Sequence, residues 1–144
     1  MNLLQLLQTV GYKEIIGNAN VEISGLCADS RKVTDGDLFF CYAGGQNDSH
    51  LFIDEAVKAG AAAVVCERKL NCKIPQIIVG DGRGAVAVFA RAFYGYADKK
   101  LKIVAITGTN GKTTTTYMLE SIFKAAGKSC GIIGTLGISY ADKF

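Results

Sequence analysis

Apolar residues come in short blocks separated by polar, glycine-rich breaks, and the spacing inside each block predicts its structure. Over residues 3–10 the leucines recur at helical spacing and Gly11 supplies a stop, so a short amphipathic helix is expected. Residues 21–23 alternate as a half-buried strand, and 37–42 reads as a more continuously apolar, buried one. Between them, Asp29-Ser30-Arg31-Lys32 and Asp35-Gly36-Asp37 carry turn chemistry. The polar stretch 44–49 leads into a helix with Phe52, Ile53, Ala56, Val57 and Ala59 on one face. Asp48 or Ser49 can cap its start, and Gly60 ends it. Residues 61–66 and 74–79 are apolar runs of strand length on either side of a polar segment, and 84–96 returns to helical spacing through Val88, Ala92 and Tyr96. After Ala97-Asp98-Lys99-Lys100 the pattern restarts with a buried-type strand at 102–107, a helix at 112–126 stopped by Gly127, and a strand at 129–133.

This order predicts an α/β protein with two domains, 1–98 and 99–144, the second opening as a βαβ unit of a parallel sheet. So short a second lobe cannot cover both faces of such a unit, and it is expected to be the truncated start of a larger domain. Composition narrows the class. Of 144 residues, 49% are apolar and 20% charged, with a single proline, which excludes a disordered or proline-rich linker chain. The formal net charge is +3, too small and dispersed for a nucleic-acid surface. No apolar run nears the roughly 20 residues of a membrane span, and the first residues lack the basic region of a signal peptide. The five cysteines (27, 41, 66, 72 and 130) are odd in number and have no C-x-x-C spacing. They speak against a disulfide framework or zinc site and for a reducing cytoplasm.

The strongest chemical signal runs from Ile103 to Thr114, where an apolar strand enters a glycine-flanked loop and Lys-Thr opens a helix. Glycines let backbone N–H groups turn around phosphate oxygens, and the helix N-terminus adds a favourable field. Gly108, Thr109, Asn110, Gly111, Lys112, Thr113 and Thr114 are therefore the candidate ATP-binding residues. Lys112 is the candidate catalytic cation for the β- and γ-phosphates, and the Thr113 hydroxyl the candidate Mg²⁺ ligand. The general phosphate-loop spacing would put glycine at position 106, where this chain has Ile106; the glycine lies at Gly108 instead. Gly80-Asp81-Gly82-Arg83-Gly84 also precedes a helix but lacks dinucleotide-binding spacing, and is expected to be an ordinary glycine-rich turn.

The shorter Gly108-Thr109-Asn110-Gly111-Lys112-Thr113-Thr114 loop resembles that of the Mur ligases and their folate-ligating relatives rather than that of a GTPase or kinase. Asp29-Ser30-Arg31-Lys32-Val33, Gly36-Asp37-Leu38-Phe39-Phe40 and Gly44 to His50 with Phe52-Ile53 are similar to the N-terminal signature of the same family, in the same order. Ser49 stands where that family more often has glycine. Segments 113–118 and 131–135 look most like the branch that adds a third amino acid, diaminopimelate or lysine, to UDP-N-acetylmuramoyl-L-alanyl-D-glutamate in peptidoglycan synthesis.

The resemblance implies a first domain that holds the UDP end of that substrate through Ala28, Ser30, Gly45, Gln46 and Asn47. It implies a second that uses Mg·ATP to activate the substrate carboxylate as an acyl phosphate before amine attack. It also implies that the later magnesium-binding and amino-acid-selecting segments lie outside these residues, so that this chain alone is expected to be inactive. Two alternatives stand beside it: the paralogous ligase that adds D-alanyl-D-alanine, and a non-catalytic module for a UDP-sugar or nucleotide. His50, the single histidine, has no apparent nucleophile partner and is expected to cap or pack at a helix start. Asp29 and Arg31 are expected to pair with each other.

Overall fold

Residues 38–41 and 63–66 are all buried, because the strands they form are covered on both faces. The computed structural model describes residues 1–44 and 48–140, and the chain divides into two compact units, Met1–Leu101 and Lys102–Phe144.

In the first unit, helix α1 (Leu3–Leu7) is followed by strands β1 (Glu14–Ile16), β2 (Gly25–Cys27) and β3 (Asp37–Phe40). Helix α2 (Ile53–Lys58), strands β4 (Ala63–Cys66) and β5 (Gln76–Ile78) and helix α3 (Gly82–Phe93) complete it. The sheet order is β1-β5-β4-β3-β2. Strands β2 to β5 run parallel, with Leu38 opposite Ala63 and Val64 opposite Gln76, while β1 closes one edge antiparallel to β5. Alternation then sorts side chains into two cores. Leu38, Phe40, Ala63, Val65 and Ile77 pack with Leu3, Leu6 and Leu7 of α1 and Ala85, Phe89 and Ala92 of α3. Phe39, Cys41, Val64, Cys66 and Ile78 pack with Ile53 and Ala56 of α2. The result is a helix–sheet–helix sandwich, and the Phe40 and Phe89 rings meet edge to face at 5.6 Å. Two polar side chains buried at the sheet are paired. The Gln76 amide accepts from Leu70 N at 2.8 Å and donates to Leu70 O at 2.9 Å, and the Asp37 carboxylate accepts from Thr34 N at 2.8 Å.

Several expectations are corrected. The first helix stops at Leu7 rather than residue 10, because the next amides fold into tighter bonds, Gln8 N to Gln5 O and Thr9 N to Leu6 O. Residues 21–23 form no strand. They bond to the chain start, Leu3 N to Val21 O and Ile23 N to Met1 O, and the ladder begins only at Gly25. Strand β1, three residues long, gave too short a pattern to read. Helix α3 starts two residues earlier than its apolar spacing suggests, at the Asp81 cap, whose side chain accepts from Gly84 N at 2.9 Å.

The second unit consists of helix α4 (Lys112–Ala125) and the strands β6 (Gly131–Gly134) and β7 (Gly137–Tyr140), paired antiparallel around a two-residue turn. The strand expected at 102–107 carries no ladder, and the parallel βαβ pairing is not formed among the described residues. Ile103 and Val104 are 74% and 61% exposed, so this is not a buried strand. A parallel strand persists where neighbours cover both faces, whereas β6 finds its partner at minimal loop-closure cost. The α/β class stands, carried by the first unit's parallel sheet.

Candidate functional site

Parallel strands deliver the loops that follow them to one edge of the sheet, the carboxyl edge, where open α/β sheets bind ligands. Here that edge collects Ala28 and Ser30 after β2, Tyr42 to Gly44 after β3, Glu67 and Arg68 after β4, and Gly80 to Gly82 after β5. Ala28 is exposed. Ser30 opens a single turn of 3₁₀ helix, Ser30–Lys32, capped by the Asp29 side chain. Asp29 also holds Arg31 through two oxygens, at 2.9 Å to Nε and 2.8 Å to Nη2, which keeps its carboxyl low at about 2. That pairing leaves both residues structural. The Ser30 hydroxyl donates to Glu55 Oε2 on α2 at 3.2 Å, so its lone pairs remain available to a donor from a ligand. Gly45, Gln46 and Asn47 lie outside the described residues.

The flanks of that segment are defined. Ala43 and Asp48 form an antiparallel bridge, and the Ser49 hydroxyl accepts from Tyr42 N at 2.7 Å while donating to Tyr42 O at 2.8 Å. Ser49, the departure from the family's glycine, thus closes the loop base. Asp48 caps the 3₁₀ turn Ser49–Phe52 by accepting from His50 N at 3.0 Å. Its carboxyl is held well below the usual range by Arg68 first and His50 second. Glu67 and Arg68 were missed in the sequence, where they read only as the start of a polar connection. Their sole signal was position, as the first charged residues after a buried strand. On the far face, burial pushes the Cys41 and Cys66 thiols up to about 12, so they act as small apolar side chains.

In the second unit the phosphate-loop residues sit together at the start of α4. Gly108 and Gly111 take positive φ of 144° and 78°, a backbone that β-carbons disfavour. Gly111 leads into the helix without a side-chain cap, which leaves the first amides of this 14-residue helix free to face an anion. The Lys112 ammonium turns back over the loop, donating to Gly108 O at 2.6 Å and Thr109 O at 3.3 Å. Thr113 follows it in the first turn, and Lys112, Thr113, Thr116, Ile106, Ile132 and Thr135 line a shallow hollow beside the hairpin. The residues present therefore suit a nucleotide phosphate and its cation: free amides, one ammonium and one hydroxyl.

Residues 22–108 match the model of the Mur ligase family, catalytic domain, and residues 106–143 that of the Mur ligase middle domain. The UDP-N-acetylmuramoyl-L-alanyl-D-glutamate–2,6-diaminopimelate ligase of Geobacillus thermodenitrificans is 43% identical over 143 residues, 99% of this chain and 29% of its own length. A solved structure of a ligase of the same name superposes with a TM-score of 0.79 at 26% identity, over 100% of this chain and 29% of that one. The MurF ligase from Thermotoga maritima in complex with ADP superposes with a TM-score of 0.57 at 33% identity, over 69% of this chain and 23% of that one. The chain thus spans about 29% of the length of the diaminopimelate ligases it resembles. No described helix is long and apolar enough to cross a membrane. With two family matches that run from residue 22 to 143 in the order of the two units, this chain belongs to the Mur ligase family.

Proposed function

We propose that this chain is the substrate- and nucleotide-binding part of an ATP-dependent amide ligase that joins diaminopimelate to UDP-N-acetylmuramoyl-L-alanyl-D-glutamate in peptidoglycan synthesis. The observation that carries the reading is the 43% identity to a ligase of that name across 99% of the chain, through both the carboxyl edge and the phosphate loop. Ala28, Ser30, Gly45, Gln46 and Asn47 hold the UDP end of the substrate. Gly108 to Thr114 cradle the ATP phosphates, with Lys112 neutralising the charge that grows on the transferring phosphoryl group. Thr113 is the hydroxyl for Mg²⁺, which when bound shares that neutralisation. The ADP bound to a 33% identical MurF supports a nucleotide here. The five free cysteines support a reducing, cytoplasmic setting.

Calorimetric titration of the chain tests both halves. UDP-N-acetylmuramoyl-L-alanyl-D-glutamate is expected to bind, with Ser30→Ala weaker by several-fold, the size of about one neutral hydrogen bond. Mg·ATP is expected to bind more weakly to Lys112→Ala by roughly tenfold or more, as for a lost charge-assisted contact. A folded chain that binds neither ligand, or variants indistinguishable from the parent, would refute the assignment.

A further inference from the structure

The β6–β7 hairpin has two unlike faces. In its register Ile132 lies opposite Ser139 and Ile133 opposite Ile138. Alternation puts Ile133 and Ile138 on one face, where they are 84% and 68% exposed. It puts Ile132 and Ser139 on the other, where they are 7% and 6% exposed. That buried face borders the hollow at the start of α4, which Ile132 and Ser139 line together with Lys112, Thr113 and Thr116. An isoleucine suits such a place. The serine does not, because its Oγ is shielded from water and, among the described residues, meets no hydrogen-bond partner. A buried hydroxyl left so is destabilising in a way that an alanine would not be. Thr116 in the same hollow escapes this by donating to Lys112 O at 2.8 Å. The unanswered Ser139 hydroxyl therefore marks a place for a partner supplied from outside the chain.

The position of the hollow says which partner. None of residues 107–111 lines it, whereas Lys112 and Thr113 do. In a phosphate loop the backbone amides of the loop cradle the inner phosphates. The lysine ammonium reaches the β- and γ-phosphates, and the following hydroxyl takes the cation. The hollow thus lies at the terminal-phosphate end. We propose that Ser139 is a further nucleotide-binding residue, its hydroxyl donating to a γ-phosphate oxygen of ATP. This rests on the reading of Gly108 to Thr114 as an ATP site. An anionic oxygen is the acceptor that a lone hydroxyl donor binds most strongly. Ser139 stands on a hairpin strand outside the loop motif, so the spacing of Gly108 to Thr114 gives no sign of it.

Calorimetry of the full chain with Mg·ATP and with Mg·ADP reads the contact, and hydrogen exchange without nucleotide reads the hairpin. Ser139→Ala is expected to lose about tenfold in ATP affinity, the size of one charge-assisted hydrogen bond, and under about twofold in ADP affinity. Exchange at the hairpin amides of 131–134 and 137–140 is expected to be equal or slower, since only an unpartnered hydroxyl has gone. Ser139→Thr and Ser139→Val are alike in shape and differ in the hydroxyl. The first is expected to keep most of the preference for ATP over ADP, and the second to lose it. An unchanged ATP affinity in Ser139→Ala, or an equal loss for the two nucleotides, overturns the contact. Faster hairpin exchange in Ser139→Ala gives the hydroxyl a role in the fold; the Thr and Val variants then decide, and an ATP preference alike in both overturns the contact. ATP binding that Lys112→Ala weakens and Ser139→Ala does not overturns this inference alone. A parent chain that binds neither nucleotide overturns the ATP-site reading and this inference together.

Discussion

Asp48 shows what a single side chain can do when three partners converge on it. It caps the Ser49–Phe52 turn, receives the His50 ring N–H and pairs with Arg68, and each contact favours the carboxylate over the acid. Its folded-state pKa is accordingly depressed. A depressed carboxyl contributes stability above its unfolded value, roughly 4, and loses it as pH falls below that toward the folded value. Urea midpoints of the parent and Asp48→Asn, followed from pH 7 to pH 3, are expected to differ most at neutral pH and to converge on the acid side. Asparagine still caps, so the difference reports the charge. A gap that widens on acidification would contradict the assignment. Much of this residue was legible: its place before a helix marked it as a cap. That Arg68 would share it, 20 residues on, was not.

At the level of elements, the fit of α3 against the sheet depends on one missing side chain. A β-carbon on Gly82 would come within 2.7 Å of the Cys41 carbonyl oxygen and 2.8 Å of Tyr42 Cβ. Neither neighbour is the far end of a flexible chain, so backbone has to move. Gly82→Ala is expected to destabilise the first unit by about 1–3 kcal/mol, the usual cost of overpacking, seen as a lower urea midpoint with unchanged slope. A neutral or stabilising outcome would mean that the helix start yields freely. The glycine-rich run 80–84 was legible as a turn from local chemistry, whereas the Asp81 cap emerged only with the helix start at Gly82. Which of the run's three glycines admits the neighbouring strand end was not legible, because that depends on strand order.

On the scale of the whole molecule, the two units differ in how they bury what they carry. The first has apolar cores on both faces of its sheet. In the second, among described residues, only Ile132 and Ser139 are buried, and α4 buries none. Amides at 103–107 have no ladder partner and are expected to exchange at rates near those of an unfolded chain. Those of β3 and β4 are expected to exchange only with global opening of the first unit. Strong protection at 103–107 in the isolated chain would contradict the structure.

The sequence by itself determined what rests on near neighbours. Continuous apolar runs of strand length gave the doubly buried strands β3 and β4, glycines and acids gave the stops and caps, and the spacing of Gly108, Gly111, Lys112 and Thr113 gave the phosphate loop and the family resemblance. These features depend on residues within a turn or two of each other. Tertiary structure decided the rest. It paired Gly131–Gly134 with Gly137–Tyr140 instead of with a strand at 102–107, and it brought Glu67 to Ala43, His50 and Gly82 across separations of 24, 17 and 15 residues. Such meetings depend on which strand ends lie side by side, and the sheet settles that order through the burial of its whole surface, which no local window contains.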